Sequence, residues 1–246
     1  MDGREYGRIR TVISRRSVRG GLLVTVVAGS LLLGASGCGG DGDAEGTPKT
    51  PKDYKVVGGT RLCGGKAVSA EASRALKVIT GSSRFEASAK EYTVAQAAAD
   101  LVEEFPVPTV TKDVCRVHLP IGTPDFVLRI TWKLVDGPPT DEPPAPKFTV
   151  LKMGEDALAA ADMAYVQFAC RSPRLSDASR SGHVLIGVQR WGMPQEPEGD
   201  TRALKEAYAT VAHSVSLAMA EELRCEKDGG LPARAVLDPV EPRHTQ

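Results

Sequence analysis

Two residues of this chain, Ser181 and His183, flank Gly182 at the start of a strand-like run and have the types a hydrolase needs. A serine activated by a histidine attacks an acyl carbonyl, provided a carboxylate orients the imidazole, so this reading requires Ser181, His183 and an acid to converge in one cleft. The other histidines offer less. His118 stands three residues after Cys115, a ligand-like spacing inside an apolar strand pattern, and no CxxC pair supplies the clustered thiols of a zinc site. His213 lies beside the apolar stripe of a long helix and reads as a solvated or boundary residue, and His244 sits in the C-terminal tail. The acidic pairs Glu103-Glu104 and Glu221-Glu222 end helices and read as solvated faces rather than as opposed acid and base. The sequence contains no GxSxG elbow, HExxH, phosphate-binding loop or GxGxxG turn leading into a helix. The expectation is a non-catalytic chain without metal or cofactor, with a hydrolase built on Ser181 and His183 as the alternative.

Two tryptophans carry binding rather than reaction chemistry. Trp132 in "TWK" and Trp191 in "RW" each neighbour a basic residue, so they read either as core anchors or as an aromatic and cationic ligand wall. Alternation in the surrounding strand points Trp132 inward. Each tryptophan strand is followed by a Pro-rich acidic loop, 136–146 and 192–200. If the two strands run the same way, both loops emerge at one end and present a partner surface; otherwise they are stiff solvated connectors.

Five cysteines are present. Cys38 follows an uncharged stretch, Gly20 to Gly37, that is itself preceded by six arginines between Met1 and Arg19. A basic segment, a short apolar run and small residues before the cysteine are the order of an export signal. Ala35-Ser36-Gly37-Cys38 resembles a bacterial lipobox, with Ala35 where leucine is commonest; the resemblance implies cleavage before Cys38 and a diacyl anchor on its thiol. Ser14-Arg15-Arg16-Ser17-Val18 resembles a twin-arginine signal, and either export route ends outside the cytoplasm. There the remaining four cysteines, Cys63, Cys115, Cys170 and Cys225, read as two disulfides with three possible connectivities. Pairing of neighbours closes loops of about 50 residues, each worth roughly 4 kcal/mol, and the nested alternative is open on sequence grounds.

The elements that must position these residues follow from periodicity. Ser69 caps a helix to about Ile79 with Gly81 beyond it, and Thr93-Val-Ala-Gln96 is a capping box opening a helix to Phe105, before Pro106. Strand-like runs cover Val114–Leu119, Phe126–Val135, Phe148–Met153, Ala164–Cys170 and His183–Trp191. In "FVLRITWKLV", Phe126, Leu128, Ile130, Trp132 and Leu134 share one face, leaving Arg129, Thr131 and Lys133 on a face that is wet or meets a polar partner. Asp156 to Asp162, Ala-rich, reads as a short helical turn. Asp200 caps a long helix to about Arg224, with Leu204, Tyr208, Val211, Val215, Met219 and Leu223 recurring at spacings of three and four. The fold class is α+β: an antiparallel sheet of about five strands, two N-terminal helices and a long C-terminal helix packed on one face. The domain plan is signal peptide 1–37, flexible tether 38–62, one domain 63–226 and a loose tail 227–246. Removal of residues 1–37 takes six arginines and two acids from an electrically balanced chain, so the mature protein is mildly acidic and carries no nucleic-acid footprint.

In lipobox, tether, paired cysteines and closing amphipathic helix, the chain resembles the small secreted lipoproteins of high-GC actinobacteria. That resemblance implies an anchor at Cys38 and a place on the extracytoplasmic face of the cell membrane, but no activity. The function expected is a lipid-anchored domain that binds a cell-envelope partner or a small ligand, with a single-lobe solute receptor as a further alternative.

Overall fold

The computed structural model describes residues 54–177, 179–192 and 196–240. The export signal, the lipobox with Cys38 and most of the tether therefore lie outside the described residues. In chain order the elements are β1 (Val56–Gly58), a 3-10 turn (Gly59–Arg61), α1 (Ala70–Thr80), β2 (Arg84–Glu86), α2 (Val94–Glu104), β3 (Lys112–His118) and β4 (Val127–Val135). They continue with β5 (Thr149–Leu151), β6 (Asp156–Ala159), β7 (Met163–Cys170), β8 (Gly182–Trp191), α3 (Thr201–Leu223) and a second 3-10 turn (Glu226–Gly230).

Each helix starts where a short polar side chain satisfies a free N–H group. The Ala72 N–H donates to Ser69 Oγ at 3.1 Å, the Gln96 N–H to Thr93 Oγ1 at 3.1 Å and the Ala203 N–H to Asp200 Oδ1 at 2.7 Å. The capping box at Thr93 is only half formed, because the Gln96 side chain donates to Asp100 Oδ1 instead of reaching back. Gly81 stops α1 in the left-handed conformation that a residue without a Cβ adopts at least cost.

Six strands in the order β3-β4-β8-β7-β6-β5 form the main sheet, antiparallel throughout, and β1 and β2 form a separate pair. The expected five strands become six in this sheet because 156–162 is not a helical turn. Asp156–Ala159 is β6, recruited by pairing with Tyr165 and Val166 of β7; tertiary pairing overrides the weak strand preference of "DALA". The register places Leu128, Ile130, Trp132 and Leu134 beside Val184, Ile186 and Val188 on one face, which is the buried one. Helix α3 covers it, lying against β6, β7 and β8; α2 packs on α3 and β3, and α1 packs on α3.

Disulfides join Cys63 to Cys115 and Cys170 to Cys225, the neighbour pairing. The second ties the end of β7 to the residue after the left-handed Arg224 that closes α3. The C-terminal segment is not loose as far as it is described. Leu231 is buried, His213 Nε2–H donates to the Pro232 carbonyl at 2.8 Å, and Pro239 bridges Leu151 on the sheet edge. His213 is accordingly a buried residue holding this segment, and burial lowers its pKa, with the Pro232 bond opposing. At the other end the fold begins at β1, earlier than the tether boundary at residue 62. Among the described residues no helix is long and apolar enough to cross a membrane.

Candidate functional site

Strand β8 places candidate chemistry at both of its ends and on both of its faces. On the uncovered face, alternate residues of β4 and β8 pair as Val127 with Trp191, Arg129 with Gln189, Thr131 with Gly187 and Val135 with His183. This is the polar face expected from the alternation in β4. The Asp113 carboxylate accepts from Arg116 at 2.8 Å and from Arg129, and the Arg129 guanidinium lies 4.7 Å from the Trp191 ring centroid. Gly187 leaves room for the Tyr165 ring: a Cβ there would stand 3.1 Å from its Cε1 and 2.8 Å from Thr131 Oγ1. The resulting groove, of about 190 Å³, is small, and within its lining Thr131 Oγ1–H donates to the Gly187 carbonyl and the Tyr165 hydroxyl to Gln189 Oε1, each at 3.4 Å.

At the first end of β8, His183 Nδ1 and Glu155 Oε2 are 2.8 Å apart, and Gln167 Nε2–H donates to Glu155 Oε2 at 3.3 Å and to the Gly137 carbonyl at 2.9 Å. Histidine and carboxylate thus meet as a hydrolase requires, the acid being Glu155. Nothing in sequence singled it out, because it leads into β6, which was itself not foreseen. No hydrogen bond joins Ser181 to His183 among the described residues. The three-way network ties the base of the 136–146 loop to the sheet, so its evident work is structural.

The other end of β8 opens on a cleft of about 730 Å³, on the helix side. Its walls come from segments far apart in sequence: Val78 and Ile79 at the end of α1, Leu119 and Phe126 around the β3–β4 connection, and Leu204 of α3. Polar groups converge on it. Tyr208 of α3 is 2 % exposed and its hydroxyl makes no hydrogen bond among the described residues, although it lines the cleft. Trp132 Nε1 is the one buried, unpartnered side-chain polar atom sealed from solvent among those residues, so the Tyr208 hydroxyl opens onto the cleft. Arg190, whose guanidinium lies 5.1 Å from the Phe126 ring centroid, and Asp162 complete the polar end. Burial pushes the Tyr208 hydroxyl well above the ordinary tyrosine range; Arg190 opposes the shift and Asp162 adds to it. The hydroxyl is therefore a protonated donor at neutral pH. Asp125, Pro197 and Glu198 stand at the rim, so part of the 192–200 loop forms one wall.

The tryptophans do not form a common wall. Trp132 is 0 % exposed on the helix side of the sheet, while Trp191 is 49 % exposed on the opposite face. Nor do the two Pro-rich loops share an end: β4 and β8 are antiparallel, so the loops after Val135 and after Trp191 leave opposite ends of the strand pair. Both conclusions needed the pairing of β4 with β8, which parity within one strand does not contain. Among the described residues no group of three or more His, Cys, Asp or Glu side chains is arranged to hold a metal ion. No protein-family model, curated protein or solved structure matches the chain.

Proposed function

We propose that this chain is a lipid-anchored extracytoplasmic domain, non-catalytic, that holds a small ligand in the cleft between α1, α3 and the far end of β8. The observation that carries the reading is Tyr208: an almost fully buried side chain whose hydroxyl makes no hydrogen bond among the described residues and opens onto a cleft of about 730 Å³. A hydroxyl that faces a cavity with its hydrogen-bonding capacity unused is a place where a polar group of a small ligand can dock. Two disulfides support an oxidising compartment, and Ala35-Ser36-Gly37-Cys38 supports the anchor. Mass analysis of the N-terminus tests the anchor: a diacylated Cys38 is expected, and an unmodified chain starting at Met1 contradicts it. For the binding role, native mass spectrometry of the chain released from its own membrane is expected to show a retained small molecule. Substitution of Ala161 by Trp, which fills the cleft, is expected to abolish retention; equal retention by both proteins contradicts the site.

The His183–Glu155 contact is the one observation that favours a hydrolase. That reading makes Ser181 the nucleophile and predicts its labelling by a fluorophosphonate, with loss of the label in Ser181→Ala. An unlabelled wild-type chain removes it.

A further inference from the structure

We infer that the cleft selects a protonated organic amine, its ammonium group seated among the C-terminal end of α1, the Tyr208 hydroxyl and the carboxylates of Asp125 and Glu198. The inference rests on the reading of the cleft as a binding site and adds the charge of its occupant. Asp125, Asp162 and Glu198 line the cleft, and among the described residues Arg190 is the one basic side chain that does. Arg190 is held at the wall, its guanidinium 5.1 Å from the Phe126 ring centroid, and Asp162 is offset by Lys147, whose Nζ is 3.4 Å from its carboxylate. Asp125 and Glu198 have no ion pair among the described residues. Counting Arg190 and Lys147 in full against the three carboxylates still leaves the cleft negative, which favours a cation and disfavours an acid.

The end of α1 works in the same direction. Val78, Ile79, Thr80 and the Gly81 that stops the helix all line the cleft. The last carbonyls of a helix have no partner within it and carry the negative end of the helix dipole. Here the Gly81 N–H caps the Lys77 carbonyl at 2.9 Å, while the Ser82 N–H donates to Thr80 Oγ1 at 3.1 Å instead of reaching a carbonyl. The carbonyls of Val78, Ile79 and Thr80 therefore accept no hydrogen bond from outside the helix among the described residues. Tyr208, 2 % exposed, brings an unpartnered hydroxyl to the same cleft from α3, so the site is more than a group of surface acids. Carboxylates, helix-end carbonyls and a hydroxyl oxygen are all acceptors, and an ammonium group, with three donors and no acceptor, is the head that matches them.

The test follows the methyl resonances of Ile79 and Leu204 in the lipidated full chain, held in nanodiscs of zwitterionic lipid, as butylamine, butanol or butyrate is added. The three probes differ in head group, so the comparison reads charge. Butylamine is expected to bind about tenfold more tightly than butanol, with butyrate the weakest. The double variant Asp125→Asn with Glu198→Gln changes two exposed residues and leaves the core intact. It is expected to weaken butylamine about fivefold and to leave butanol unchanged. Tyr208→Phe, which keeps the ring and both carboxylates, is expected to weaken butylamine about fivefold as well. Equal binding of butylamine and butanol, preference for butyrate, or a double variant that binds butylamine as wild type does overturns the inference and leaves the binding role standing. Shifts from none of the three probes also overturn it, and the retained-ligand measurement then decides the broader role separately.

Discussion

The two ends of β8 differ in what their polar groups have left to do. At the Gly182 end, His183, Glu155 and Gln167 are bonded to one another and to the Gly137 carbonyl, so the network is closed. At the Trp191 end, the Tyr208 hydroxyl makes no hydrogen bond among the described residues and faces a cleft of about 730 Å³. The first end has the residue types of a catalytic site and the second has ordinary ones. Unspent hydrogen-bonding capacity next to a cavity marks a candidate site better than residue type does, because groups already bonded to one another have little left to offer a ligand.

The largest effect expected from separating the two ends lies in the disulfide at the closed one. Cys170 pairs across the sheet with Gly182, and its bond to Cys225 closes a loop of 55 residues. Replacing both cysteines by Ala is expected to lower unfolding free energy by about 4 kcal/mol in a denaturant titration. Ligand binding at the open end is expected to be unchanged under conditions where the variant is folded. A variant as stable as wild type would break the picture of a stapled closed end.

A smaller loss is expected from Glu155→Gln. The His183 contact is partly solvated on both sides, with side-chain exposures of 17 % and 21 %, so its loss is worth about 1 kcal/mol or less. The measurement is again denaturant unfolding, paired with retention of the native small molecule, which should not move. A loss of affinity without a loss of stability would transfer the site to this end.

Tyr208→Phe should do the reverse. The hydroxyl makes no hydrogen bond among the described residues, so stability at neutral pH is expected to stay within about 0.5 kcal/mol of wild type. Alkaline pH then separates the two proteins. The folded-state pKa of Tyr208 lies above its unfolded value near 10.0, so its contribution is in place below that pH and is lost as pH rises past it. Wild type is expected to lose stability more steeply than Tyr208→Phe above about pH 10. Parallel pH profiles would mean that the Tyr208 side chain is not buried as described.

What the sequence made legible was local. Ser69, Thr93 and Asp200 were readable as caps because each competes for N–H groups within its own first turn, and the faces of β4 were readable because side chains alternate. The even number of cysteines outside the signal pointed to two bonds but left their pairing open. Strand β6 was not readable, since "DALA" becomes a strand only beside β7, and the C-terminal segment looked loose until Leu151 and His213 were seen to hold it. The cleft was the least readable feature. It is assembled from residues near 78, 119, 126, 162, 190, 198 and 208, and Tyr208 in sequence is simply one position of an apolar stripe.

The most direct test of the central claim is to map where a ligand acts. Heteronuclear NMR of the lipidated chain in nanodiscs, with and without the small molecule retained by the native preparation, should show shifts for Ile79, Leu204 and Tyr208 and leave His183 and Glu155 in place. Shifts centred on His183 and Glu155, with Tyr208 unmoved, would contradict the account.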